Sequence, residues 1–335
     1  MRALALTLAL ACTALACRTK EPEPAPRQVA PAPTPTPPLD HPAVAAFPAD
    51  TALVAHVDLA RLLASPLWAQ NRGLMTDDPE AQRTLDALRT CGLALESLGP
   101  LDLAVDGAGA RVIADLRGPG VGRRESLECI GRELFAAHPD AWKIDERAGA
   151  PVVLLDGGAA IARPRGDDRL LFASAAWDAA LVERLEGRAP GPPQGPLGAA
   201  LASIDTTRPI WFAGALPPAL GGESNLQSIA GTLDPADGLA VEVELVARSP
   251  ADAEAMRDEL LRRIAAIRLR IGAASVPGAA LERLQSDVRG GALHVRAALD
   301  MAEIAALRSA LADAPAPAPD PAPAPPAAPP PAPAR

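Results

Sequence analysis

Tyrosine is absent from this 335-residue chain, and Trp and Phe number only four each. A core must therefore be built from Leu, Ile, Val and Ala, and few rings remain to stack sugars or bases. Lysine is nearly missing, with Lys20 and Lys143 as the only two; basic charge falls to Arg, which is interspersed with Asp and Glu in a chain of net charge −9. No basic face emerges, which argues against nucleic acid as a partner. After Cys17 no segment approaches 18 consecutive apolar residues, so no second membrane span is expected. Only Cys12, Cys17, Cys91 and Cys129 carry thiols.

Catalytic and cofactor motifs are equally scarce. There is no Gly-x-Ser-x-Gly elbow, and Ser126 sits in a helical pattern with no histidine nearby in sequence. His56 and Asp58, two apart on a strand, share one face, but a zinc or iron site needs three or four ligands. The other histidines, His41, His138 and His294, show no paired spacing, and Asp58 is well placed to cap a following helix. No metal or cofactor is expected. Gly118-Pro119-Gly120-Val121-Gly122-Arg123-Arg124 comes nearest to a phosphate cradle. It has Arg123 where the dinucleotide fingerprint needs its third glycine, and it lacks the Gly-Lys-Ser/Thr of a P-loop. Weak anion binding through Gly118, Gly120, Gly122, Arg123 and Arg124 at a helix start is the most it offers, against a plain surface loop.

The N-terminus is distinctive. Arg2, the apolar run from Ala3 to Ala11 and Thr13-Ala14-Leu15-Ala16-Cys17 resemble a bacterial lipoprotein signal peptide. Ala-Leu-Ala-Cys occurs twice, but cleavage before Cys12 leaves an apolar core near the lower limit of length, so Cys17 is the expected lipidated residue. Ala14-Leu15-Ala16 also fits ordinary signal cleavage with no lipid added. Acylation of Cys17 supplies enough chains for lasting attachment to a membrane. The expected location is the cell envelope, on the periplasmic face of a membrane or at the outer-membrane surface. Arg18, in place of the Asp that retains some lipoproteins at the inner membrane of enteric bacteria, favours the latter.

Residues 1–16 thus read as signal, and 17–48 as the lipidated Cys with a Pro/Ala-rich tether. Residues 314–335 read as a disordered tail of the same composition. Between them, Ala189 to Pro196 marks a boundary. This predicts a first half over 49–188, a linker over 189–197 and a second half over 198–313. Hairpins are expected around Asp106-Gly107-Ala108-Gly109, between Val152–Leu155 and Leu170–Ser174, and around Asp234-Pro235-Ala236-Asp237-Gly238. Glu242 and Glu244, alternating with Val241, Val243 and Leu245, mark the wet face of a strand.

Helix starts are clearer. Asp78-Pro79, Ser249-Pro250 and the capping box Asp300/Glu303 each open a segment of helical periodicity, the second carrying Met256, Leu260, Ile264, Ile267 and Ile271. The fold class is α+β: antiparallel sheets with amphipathic helices packed on one face, in two related halves. Cys91 and Cys129, the only thiols left in the folded part of an exported chain, are expected to pair, since Cys129 falls opposite the apolar stripe of its helix.

Phe47-Pro48-Ala49-Asp50-Thr51-Ala52-Leu53-Val54-Ala55-His56-Val57-Asp58-Leu59, then Leu63-Ala64-Ser65-Pro66-Leu67-Trp68, Thr90-Cys91-Gly92 and Leu127-Glu128-Cys129 make up a recurring pattern. Together they resemble uncharacterised lipoproteins of myxobacteria and related high-GC Gram-negative bacteria. That resemblance covers residues 47–190 loosely and implies no established activity. The functional expectation is a membrane-anchored envelope lipoprotein with a non-enzymatic binding or scaffolding role and a possible envelope protein partner. The alternatives are an envelope hydrolase with an unrecognised active site, or a carrier of an apolar ligand.

Overall fold

The computed structural model describes residues 44–312 except 77, 148–149, 192–194, 216–224 and 272–275. The signal, Cys17, the tether, part of the 189–197 segment and the tail lie outside the described residues.

Twelve described strands form one sheet in which every neighbouring pair is antiparallel. β1 (Thr51–Asp58), β2 (Pro100–Asp106), β3 (Val112–Arg117), β4 (Trp142–Arg147), β5 (Ala150–Leu155), β6 (Ala160–Pro164) and β7 (Arg169–Ser174) precede the 189–197 segment. β8 (Ile210–Ala215), β9 (Leu226–Asp234), β10 (Leu239–Ala247), β11 (Gln285–Arg289) and β12 (Ala292–Leu299) follow it. The spatial order is β11-β12-β10-β9-β8-β1-β2-β3-β7-β6-β5-β4. β1 pairs with β2 on one side and with β8 on the other, so the sheet runs unbroken across the two halves.

Helices α1 (Leu59–Leu63), α2 (Pro66–Thr76) and α3 (Pro79–Thr90) fill the connection from β1 to β2. α4 (Arg124–Leu134), α5 (Ala175–Leu185), α6 (Pro196–Ala202), α7 (Pro250–Ile271), α8 (Val276–Glu282) and α9 (Met301–Ala312) follow in order. Their starts are chemically explicit. Asp78 accepts from the Glu80 N–H at 2.9 Å, and the Ser249 hydroxyl accepts from the Asp252 N–H at 3.1 Å. Asp300 and Glu303 exchange backbone-to-carboxylate bonds at 2.8 and 3.0 Å, a complete capping box.

Outward from β1 and β8 the halves repeat one plan. β1-β2-β3-β7-β6 on one side matches β8-β9-β10-β12-β11 on the other. In both, the third strand of the plan leads into a helix, α4 or α7, and its fourth strand into another, α5 or α9. To this plan the first half adds α1–α3 and the β4-β5 hairpin at the sheet edge.

Amphipathic helices pack against the sheet, as expected, but they divide between its two faces. Trp211, His56, Asp102, Asp115 and Leu171 are successive register partners and so share a face. That face is covered by Trp177 and Leu181 of α5, by Leu197 and Ala200 of α6, and by Val44 and Phe47. Phe212, Ala55, Leu103, Ala114 and Phe172 mark the opposite face. There Leu88 of α3 with Leu127 and Ile130 of α4 pack over the first half, and Met256 and Leu260 of α7 over the second.

Three further expectations are corrected. Val152–Leu155 and Leu170–Ser174 do not form one hairpin, because β6 lies between them and pairs with both. β6 was hidden by the brevity of Ala160–Pro164. Ile267 is exposed, because the apolar stripe of α7 outlasts the core beneath it. The 189–197 segment ends inside α6, whose Leu197 is buried in the core shared by both halves.

Candidate functional site

The pattern Leu101-Asp102-Leu103-Ala104-Val105-Asp106 has the look of a strand with one wet face, yet Asp102, Ala104 and Asp106 all point into the core. Asp102 and Asp115, directly opposite each other on β2 and β3, are each 1% exposed. Two like charges side by side are destabilising unless both are compensated. The Arg117 Nη2 bridges them at 3.1 Å to each, and Arg169 clasps Asp115 through both nitrogens at 2.8 and 2.7 Å. That hydrogen bond holds the Arg169 guanidinium above its ordinary range, against the burial that lowers it.

His56 completes the row. Its Nδ1 lies 2.5 Å from Asp102 Oδ1, and its ring stacks on Trp211 at a centroid distance of 5.2 Å. Since Trp211 belongs to β8, this stack ties the two halves together. At the other end of the same face, Asp106 accepts from the Ala110 and Arg111 N–H groups and from Arg111 Nε. Burial raises its carboxyl pKa, but the bonds from Arg111 and Ala110 outweigh this and hold it below the ordinary value. Arg111 also reaches Asp50, which in turn accepts from the Trp177 indole at 2.7 Å. Asp178 of α5 is clasped by Arg163 at 2.5 and 2.6 Å. All these pairs lie within the first half except the His56–Trp211 stack.

The sequence candidates are placed as follows. Asp58 caps α1 by accepting from the Arg61 N–H at 3.1 Å. Among the described residues no group of three His, Cys, Asp or Glu is arranged to hold a metal ion. In the glycine-rich loop, the Gly118 and Gly122 N–H groups donate to the Asp168 and Asp167 carbonyls at 3.0 and 2.8 Å. Gly120, at φ +79°, donates to the Asp168 carboxylate at 2.9 Å. The anion this loop holds is therefore the chain's own Asp168. A Cβ on Gly122 would stand 2.1 Å from the Gly166 carbonyl oxygen, so the glycine serves close packing against the β6-β7 turn. Arg123 pairs with Asp167, and Arg124 pairs with Glu128 and Glu146.

Cys91, at the C-cap of α3, and Cys129 on α4 are disulfide-bonded, with Cα atoms 5.6 Å apart. Two open hollows flank α4. One, of about 380 Å³, is lined by α3, including Gln82, Arg83, Asp86 and Thr90, together with Glu133. The other, of about 540 Å³, lies where the C-terminal half of α4 meets the edge strand β4. Among the described residues, no helix is long and apolar enough to cross a membrane.

No family model and no curated protein matches the chain. Among solved structures, it is similar to crystal form III of TP0453, with a TM-score of 0.48 and 9% identity over 79% of this chain and 97% of that one. Crystal form I of the same protein gives 0.47 and 9% over 80% and 96%.

Proposed function

We propose that the chain is a lipid-anchored protein of the cell envelope that binds or scaffolds partners and carries out no chemistry of its own. The observation that supports this most is the fate of its buried charge. Asp102, Asp106, Asp115 and Asp178 are each engaged by an Arg or His side chain within the first half, and none lines either hollow. An active site brings ionisable groups of shifted acidity together at a recess that substrate can enter; these four buried carboxylates are instead matched with Arg and His side chains inside the fold.

The envelope placement rests on the signal-like Met1–Cys17, with Cys17 as the acylated residue, and on the Cys91–Cys129 bond, which belongs to an oxidising compartment. The test is labelling with a clickable fatty acid in strains carrying the wild-type chain or Cys17→Ser. Label is expected on the wild type and absent from the variant; equal labelling of both would overturn the anchor.

A further inference from the structure

The last strand of the sheet on the first-half side, β4, pairs with β5 only, so its other side meets no described strand. Such an edge is a template for one more strand. Pro151, the register partner of Glu146, has no N–H to offer across the hairpin. The Glu146 N–H instead donates to the adjacent Asp145 carboxylate at 2.9 Å. By the alternation of antiparallel ladders, Trp142, Ile144 and Glu146 therefore turn their N–H and C=O groups to the open side.

The register also divides the side chains of β4 between the two faces. Trp142 and Ile144 lie opposite Leu155 and Val153 on the α4 side, whereas Lys143 and Asp145 lie opposite Leu154 and Val152 on the other. Trp142 and Ile144 are only partly buried and floor the 540 Å³ hollow, which Arg132 of α4 also lines. Each face of this edge thus carries both signs of charge. Lys143 and Asp145 stand on one; Glu146, loosely held by Arg124 at 3.4 Å, stands with Arg132 on the other. At the opposite edge of the sheet, β11, Asp287 and Arg289 are already paired with each other and Val288 packs under α7.

We infer that β4 is the seam of a symmetric dimer, in which a second copy of this chain lays its own β4 antiparallel to the first. A twofold axis normal to the sheet keeps every side chain on its own face, so directly opposed residues are an even number of positions apart. Centring the seam on Asp145 sets Asp145 against itself and Lys143 against Arg147; centring it on Lys143 sets Lys143 against itself. Centring on Ile144 leaves no like charges opposed. Lys143 of each chain then meets Asp145 of the other on one face. On the α4 face Ile144 meets Ile144, and the copy's Glu146 comes beside Trp142 and Arg132. The outward N–H and C=O groups of both strands exchange hydrogen bonds, the Glu146 N–H passing from Asp145 to the copy's Trp142 carbonyl. Trp142 and Ile144 of the two chains close into one apolar cluster, which covers the floor of the hollow.

This seam goes beyond the binding role proposed above and does not depend on the anchor. Its test is disulfide trapping of the full chain in mild detergent. Under copper–phenanthroline, Ile144→Cys is expected to give a reducible dimer linked 144 to 144 by mass spectrometry, since Cα atoms opposed at about 5.5 Å lie within disulfide range. Arg147→Cys, far from its own copy in this register, and Val288→Cys on β11 should stay monomeric. Adding Lys143→Asp or Asp145→Lys to Ile144→Cys is expected to lower the dimer yield about tenfold. Mixing those two variants should restore it, because each then meets an opposite charge on the other chain. Mixing cannot cure a folding defect, so damage to the fold and loss of the seam are told apart. Absence of the 144 link, equal linking through 147 or 288, or a mixture no better than its components would overturn the seam. The link is read at residue 144, so a free Cys17 would count against the anchor alone.

Discussion

On one side of the β1–β8 pairing the shared plan is reinforced by a disulfide, an added helical connection and a set of buried carboxylates clasped by arginines. On the other side the same plan has no cysteine. Its separate core is the small cluster of Ile229, Leu245 and Leu293 under α7, and its ion pairs, such as Arg208–Asp234 and Arg296–Glu242, lie largely at the surface. What joins the two is the face where Trp177, Trp211, Leu197 and Val54 pack together. Strand order therefore does not dictate the means of stabilisation. One topology carries a disulfide and several buried ion pairs in the first half; in the second it relies on aliphatic burial, a neighbour's core and a single buried carboxylate among the described residues, Glu303, held by Arg283.

Removing the joint should have the largest effect. Trp177 is fully buried, so Trp177→Ala is expected to cost about 4 kcal/mol. Denaturation followed by far-ultraviolet circular dichroism should remain a single transition at lower denaturant. Two resolved transitions in the wild-type protein would mean that the halves are stabilised separately and the comparison is misdrawn.

The next effect should stay within one half. Cys91→Ser/Cys129→Ser opens a 38-residue separation and is expected to cost up to about 4 kcal/mol in the chain-entropy account. Hydrogen exchange should quicken in α3 and α4 and change little in β9 to β12. An equal rise in both halves would contradict a reinforcement local to the first. A free thiol in protein prepared without reductant would remove the bond itself.

The smallest of the three probes the charged row. Asp115→Asn leaves Arg117 and Arg169 without their shared acid. Removing one partner of a buried pair costs about 3–5 kcal/mol, but both guanidiniums are 31% exposed, so about 2 kcal/mol is expected. Adding Arg169→Met should recover part of the loss, because an apolar replacement needs no partner. No recovery in a thermal melt would show that Asp115 acts through packing alone.

Some of this was legible because the signals are local. Asp78, Ser249 and the Asp300/Glu303 box announce their helices through side-chain bonds to a backbone two or three residues on. The β9-β10 hairpin follows from its turn residues, and Cys91 and Cys129 are each other's only available partner in the folded part. The charged row was not legible. Asp102 and Asp106 alternate with Leu101, Leu103 and Val105 just as Glu242 and Glu244 alternate with Val241, Val243 and Leu245. One acidic face is buried at Asp102 while Glu242 is largely exposed. The short strands β4, β6 and β11 escaped for a related reason: five or six residues of mixed polarity define no period, and their pairing rests on neighbours far along the chain.

By itself the sequence determined the elements whose energetics are local: capped helices, tight turns, an α+β alternation repeated twice, and a lone pair of thiols. It also carried the export and lipidation signal as an expectation. Tertiary structure decided which face of each strand is dry, that both halves share one sheet, and that the glycine-rich loop holds Asp168. Burial and ion pairing depend on what lies across the fold, and strand alternation records only that the two faces differ, not which one the core will cover.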